Sequence, residues 1–362
     1  MASQNDIMTL INVYASWGGV IAAVLWGGFY CSEPAHAQSS PKPDITADQP
    51  RAISVTSRKL NSFRKNAGKT VKVGKLKWLG GLVLSSSDPV FGGYSGLELS
   101  SDGKRFVAVS DAGSWLTGKI IYKNNRMVGV GNTRTGALKA LGNKILRRRR
   151  DRDAEAVRLV AGNLISGTAL ISFEINQRIG LFPIRSGQIA GPVRYLRPRH
   201  RMPANKGLES VALVGGANLG NRRHVVAFAE RALDANGHHR GFLWRRGSGQ
   251  AQPLALLNLQ GFDITDAAGL PDGRLLVLER RFRWSEGIKM RIREISAKNV
   301  RSGVVMNGRT LLRADLRYEI DNMEGISVHR DTLGRTVLTL ISDNNFNTFL
   351  QRTLLLQFEL PR

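Results

Sequence analysis

Residues 321–328 read DNMEGISV: an acidic turn, then a carboxylate, a small residue and an aliphatic one. The same order returns as Ala154-Glu155-Ala156-Val157, Leu208-Glu209-Ser210-Val211 and Met323-Glu324-Gly325-Ile326. Two further copies carry another residue in place of the carboxylate: Tyr94-Ser95-Gly96-Leu97 and Ala267-Ala268-Gly269-Leu270. Successive copies lie 60, 54, 59 and 56 residues apart. Downstream of each, an apolar run closes on an acid: Asp111, Glu174, Glu230, Glu279 and Asp343.

The runs between these markers are short, rich in Val, Leu, Ile and Phe, and broken by Gly, Asp and Asn. KRFVAVSD (104–111), HVVAFAE (224–230), GRLLVLE (273–279) and RTVLTLISD (335–343) have the length and composition of buried strands. Asp-Gly precedes two of them, at Asp102-Gly103 and Asp272-Gly273, as in tight hairpins. No long segment has helical periodicity. A period of this length filled only with strands predicts an all-β chain folded as a β-propeller, one four-stranded blade per repeat. Five repeats are visible; a sixth blade stays open.

In that fold the first strand of each blade lines the central channel. The small residue after each carboxylate then sits where backbones crowd at the axis, and the carboxylates ring the channel mouth. RTLLLQFEL (352–360) is expected to pair with a strand in 70–84 and close the ring. Arg231 and Arg280 directly follow two of the acids, so structural ion pairing competes with a functional ring.

The flanking sequence is different. WGGVIAAVLWGGFYC (17–31) followed by Ala35-His36-Ala37 has the apolar core and small-residue site of a secretory signal, 1–37, though no base precedes it. The alternative is an uncleaved anchor. Residues 38–68 are polar, Ser- and Pro-containing and read as a linker, leaving 69–362 for the propeller. The expected location is periplasmic or secreted. Cys31, the single cysteine, lies inside the signal, so the exported chain has neither a disulfide nor a thiolate metal site. Cleavage removes Asp6 and Glu33 but no base, taking the formal charge from +25 to +27. Such a charge favours anionic partners, namely a phosphorylated small molecule or an anionic envelope surface, unless it serves solubility alone. No nucleic-acid-binding motif is present, and a monomer is expected.

GGYSGLELSSDGKRFVAVSDAG (92–113), DAEAV (153–157), NKGLESVAL (205–213) and DNMEGISV with LISDNNFN (321–347) resemble the phytase-like family, known for esterase-like activity of phytase and found in exported bacterial proteins. The resemblance implies a propeller over roughly 75–360. Through distant kinship with calcium-dependent propeller phytases, which have six blades, it also implies phosphoester hydrolysis. What carries over by residue is the set of blade positions Asp111, Glu155, Glu209, Glu230, Glu279, Glu324 and Asp343. Ser95 and Ala268 depart from it.

Serine-hydrolase chemistry is disfavoured: GGYSGL lacks the G-x-S-x-G elbow, and no His of the exported chain stands at a repeat position. Zinc spacing and a P-loop are absent. Carboxylate and amide oxygens suit a hard cation. The candidate calcium ligands are Asp111, Glu155, Glu230, Glu279, Asp343 and Asn344; the candidate catalytic groups are Glu209 and Glu324, with Arg231 and Arg280 to grip a phosphate. The rival expectation is a non-catalytic propeller that binds an anionic ligand or an envelope partner.

Overall fold

The computed structural model describes residues 49–66, 68, 71–198, 202, 207–215 and 223–361. The expected signal segment lies outside these residues.

Five sheets follow one another along the chain, antiparallel except where Val305–Met306 adds a parallel strand outside Ala251–Leu256 in the third. Blade I runs Tyr94–Leu99, Arg105–Ser110, Ser114–Lys123, Arg126–Ala137. Blade II runs Ala154–Gly162, Gly167–Phe173, Arg178–Arg185, with Gln188–Ile189 and Arg194–Leu196 sharing the outer edge. Blade III is Leu208–Val214, His224–Leu233, His239–Trp244, Ala251–Leu256. Blade IV is Asp263–Gly269, Leu275–Arg283, Gly287–Ile295, Arg309–Ala314. Blade V combines both ends of the chain: Asn322–Arg330, Thr336–Asp343 and Thr353–Leu360, then Leu76–Ser85. The first strands of the five blades touch in a closed ring, I–II–III–IV–V–I. The molecule is a five-bladed propeller.

Each blade is apolar on both faces because each is covered by a neighbour. Five large clusters of buried side chains fill the five interfaces, for example Ala212, Val226 and Phe228 of blade III against Ile264, Leu275 and Val277 of blade IV. This is why the strands read as continuous apolar runs rather than alternating ones. The ring is closed by register Thr353↔Leu84 to Glu359↔Lys77, so no inner edge is left open.

The propeller starts earlier than residue 69. Thr56–Leu60 pairs with Leu76–Ser85 on the outside of blade V, and Arg51–Ala52 pairs with Thr135 and Arg134 on blade I. This part of the expected linker is an edge cover. Its solvent side carries Arg58 and Lys59, and such polar edges hide strand patterning while discouraging edge-to-edge association.

Candidate metal centre at the propeller mouth

Every first strand carries a β-bulge at the same point. Register skips one residue at Ser95, Glu209, Thr265 and Glu324, and in blade II two residues, Glu155 and Ala156, oppose one. A bulge re-aims one side chain out of the alternation of its strand. The recurring carboxylate is that side chain. The next residue is small because the neighbouring strand is close: a Cβ on Gly96 would lie 2.7 Å from Ala156 Cα, and one on Gly325 3.0 Å from Leu97 N.

The bulge also corrects the alignment of blade IV. Its marker is Ile264-Thr265-Asp266, not Ala267-Ala268-Gly269, so Thr265 takes the carboxylate position and Asp266 the small one. Gly269 is crowded for a different reason: at the far end of its strand, its Cβ would lie 1.9 Å from Leu213 O.

The strand-closing position shifts with it. Glu174 and Glu230 donate their backbone N–H to Asp153 and Gly207, just ahead of each first strand, and Asp111 does so to Gly93. In blade IV the residue at that point is Arg280, opposite Asp263. Glu279 is one residue further in and points to the other face. It is fully buried, accepting from Arg291 Nε at 2.6 Å and Arg293 Nε at 2.9 Å. Glu279 is therefore a structural ion-pair residue, away from the mouth. Asn344 also departs from the expected ligand set. Its Oδ1 accepts from Gly93 N at 3.3 Å and Phe346 N at 3.1 Å, shaping the loop. Asp343 Oδ1 similarly accepts from Asn345 N at 2.7 Å, beside that loop.

What converges lies between blades II and III. Ligand oxygens of Glu174, Glu209 and Glu230 fall within 4.8 Å of one another, and so do those of Asp153, Glu155 and Glu174. Glu174 is common to both groups. Burial pushes Glu209 well above the usual carboxylate range, with Glu155, Glu230, Glu174 and Glu324 adding to the effect, which puts Glu209 at the electrostatic centre. Burial, then Asp153 and Glu230, push Glu174 up to about 8. Glu324 rises to about 7: burial raises it, Arg280 pulls it down, and Glu230 and Asp111 push it up again.

The cationic side of the mouth is blade IV and its neighbour. Arg280 reaches Glu230 Oε1 at 3.3 Å and Glu324 Oε1 at 3.4 Å. Arg231 reaches Glu230 Oε1 at 3.3 Å and Asp263 Oδ2 at 2.9 Å. Burial opposes the charge on Arg280, but Glu324 and Glu230 outweigh it and hold the guanidinium charged. These two bases are outnumbered by the carboxylates around them. The donor set is all oxygen, hard and anionic, the kind that a calcium-like ion takes.

Below the mouth the axis is plugged. Arg158 Nη2 donates to Asp266 Oδ2 at 2.6 Å, to Ala267 O at 2.7 Å and to Ile326 O at 2.8 Å, while its Nη1 reaches Leu97 O at 2.9 Å. One buried guanidinium thus ties blade II to blades I, IV and V. Glu98 stands beside it, accepting from Leu159 N and Ser327 Oγ. The mouth is a bowl with this floor. Sequence patterning missed Arg158, Asp266, Asp153 and Asp263; Glu174 stood in the repeat without a role. The only advance signal was positional, since Glu98, Arg158 and Ser327 each lie three residues after the bulged position of their strand, Ser95, Glu155 and Glu324.

A family model described as Phytase-like, esterase-like activity of phytase, matches residues 89–346. No curated protein matches the chain. Among solved structures, similarity extends to hydrazine synthase of Kuenenia stuttgartiensis at 12% identity, covering 70% of this chain and 77% of that one, with TM-score 0.40. A protein of unknown function from Dyadobacter fermentans is 13% identical, covering 85% and 91%, with TM-score 0.39. An endo-arabinase from Bacteroides thetaiotaomicron is 13% identical, covering 72% and 93%, with TM-score 0.42.

Proposed function

This chain belongs to the phytase-like family, and on that premise we propose that it is an exported hydrolase of phosphoesters that works with calcium bound in the mouth. The observation that carries this reading is the convergence of Glu174, Glu209 and Glu230 within 4.8 Å, beside two arginines. Crowded, buried carboxylates cannot all ionise together unless a cation or a proton compensates them. Glu174, Glu209 and Glu230 would hold one ion, and Asp153 and Glu155 are placed to share Glu174 with a second. When bound, calcium supplies charge neutralisation for phosphoryl oxygens.

The remaining work falls to side chains. Arg280 and Arg231 present donors that Glu230, Glu324 and Asp263 now accept, and a phosphoryl group competes for the same guanidinium faces. Glu324, held up to about 7, exchanges a proton near neutrality and is the candidate general acid or base. Thr265, in blade IV, is already committed to Met323 O at 3.1 Å and serves structure. The Arg158–Asp266 floor keeps a substrate in the bowl and limits entry to one side.

Calcium titration of the purified protein, followed by hydrolysis assays with a phosphomonoester, a phosphodiester and a carboxyl ester, tests the reading. Glu209→Gln keeps side-chain size and is expected to weaken calcium binding and hydrolysis together, each by tenfold or more, on the order of 1.4 kcal/mol. Calcium binding without turnover of any ester would leave a non-catalytic propeller that binds an anionic ligand.

A further inference from the structure

The connections between second and third strands all open on the mouth face, because second strands end there. In blade I that connection is a tight turn, Asp111–Gly113. In blades III, IV and V it is longer, and each one ends in exposed apolar side chains. Blade III shows Leu233; blade IV shows Phe282, 49% exposed, and Trp284, 73% exposed; blade V shows Phe349, 94% exposed, with Leu350. The three aromatic side chains among the exposed large apolar residues are thus all on one face and at loop tips. Phe282 and Trp284 brace each other edge to face, centroids 5.5 Å apart. Their hairpin runs three residues past Arg280, so its tip stands roughly 10 Å above the ring at about 3.3 Å per residue.

Bases share this face. Arg147, Arg148, Arg149 and Arg150 are exposed on the connection that enters blade II at the mouth end. Arg283 and Lys289 flank the blade IV hairpin, held in place by Glu286, and exposed Arg313 ends beside them. Separate raised tips with an aromatic body and bases on the same face match an interface of lipid headgroups, where aromatic rings sit at the boundary and bases meet phosphates. A protein groove would instead need one continuous apolar patch. Among the described residues no helix is long and apolar enough to cross a membrane.

We propose that the mouth face is a docking surface for an anionic lipid bilayer, with Phe282, Trp284 and Phe349 inserting at the headgroup level and Arg147–Arg150 on the phosphates. The bowl, closed at its floor, then opens toward the membrane, and molecules that reach it are those presented at that surface. The assignment does not depend on the chemistry in the bowl, since it concerns rim residues only.

Residues 38–362 contain the whole closed propeller and are the form to use, so that the apolar run at 17–31 does not confound the result. The assay is co-sedimentation with vesicles of equimolar phosphatidylcholine and phosphatidylglycerol, against phosphatidylcholine alone. Binding is expected with the anionic vesicles, with Trp284 fluorescence quenched by brominated lipid and that quenching lost in Trp284→Phe. Trp284→Ala combined with Phe349→Ala is expected to weaken binding at least tenfold, since burying either ring is worth about that factor. Both side chains are exposed, so the core is untouched, and an unchanged thermal midpoint verifies it. Equal binding by the double variant, absence of quenching, or no preference for anionic vesicles overturns the proposal.

Discussion

At the scale of the residue, His329 shows what burial does to a group that sequence patterning passes over. It sits on the first strand of blade V, its ring against Gly103, with Nδ1 buried and unbonded. Burial pulls it down to about 4, against the opposing fields of Asp331 and Asp102. The unfolded chain takes up a proton near pH 6.5, whereas the folded one waits until about 4. Stability present above the unfolded value is therefore lost as pH falls through that window, by about 3 kcal/mol for this group. Denaturant unfolding at pH 7 and pH 4.5 should show a smaller loss in His329→Gln than in the parent; equal losses would assign the sensitivity elsewhere. The Arg158–Asp266 pair makes a second case. Asp266→Ala strands a buried guanidinium and should cost about 3–5 kcal/mol, much of it recovered in the Arg158→Met background. A double-mutant cycle measures the difference, and additive losses would show that the pair is not the axial tie.

At the scale of the element, the strands were legible because each blade is buried on both faces, and their period was legible because each blade repeats the same closing step. Phase within a blade was not. A bulge adds one residue to a strand without changing its composition, so Ala267-Ala268-Gly269 matched the pattern of small residues better than Ile264-Thr265-Asp266 did. That slip of three residues displaced the marker, and separately the run that closes on an acid, Glu279, stops one residue short of Arg280, to which register gives the position. Thr56–Leu60 was missed for the opposite reason: an outer edge strand needs few apolar residues. Energetics should separate the two kinds of strand. Leu356, buried where the chain ends meet, should cost about 2–5 kcal/mol on Leu356→Ala. Lys59→Ala on the outer cover should stay within about 0.5 kcal/mol. Comparable losses at both sites in chemical denaturation would mean that closure does not rest on the Thr353–Leu360 seam.

At the scale of the whole molecule, a chain of formal charge +25 nevertheless gathers Asp153, Glu155, Glu174, Glu209 and Glu230 at the mouth of its axis, with Arg280 and Arg231 beside them. The centre therefore sets a pH dependence that net charge does not foretell. Glu174, at about 8, and Glu324, at about 7, both lie above the ordinary 4.5. Below pH 4.5 folded and unfolded chains both hold these protons, and the mouth carries no penalty. As pH climbs, the unfolded chain releases them first, so stability drains away until the folded groups ionise near pH 7–8. A bound cation replaces those protons, and its contribution grows with the fraction of carboxylate it finds ionised. Thermal unfolding should then show a narrow gap between calcium and chelator at pH 5 and a wide one at pH 8. Glu209→Gln, which removes the central charge, should close most of the gap at pH 8 while raising the midpoint measured in chelator. A gap of the same width at both pH values would place calcium away from these carboxylates, and no gap at all would leave the mouth to protons and arginines.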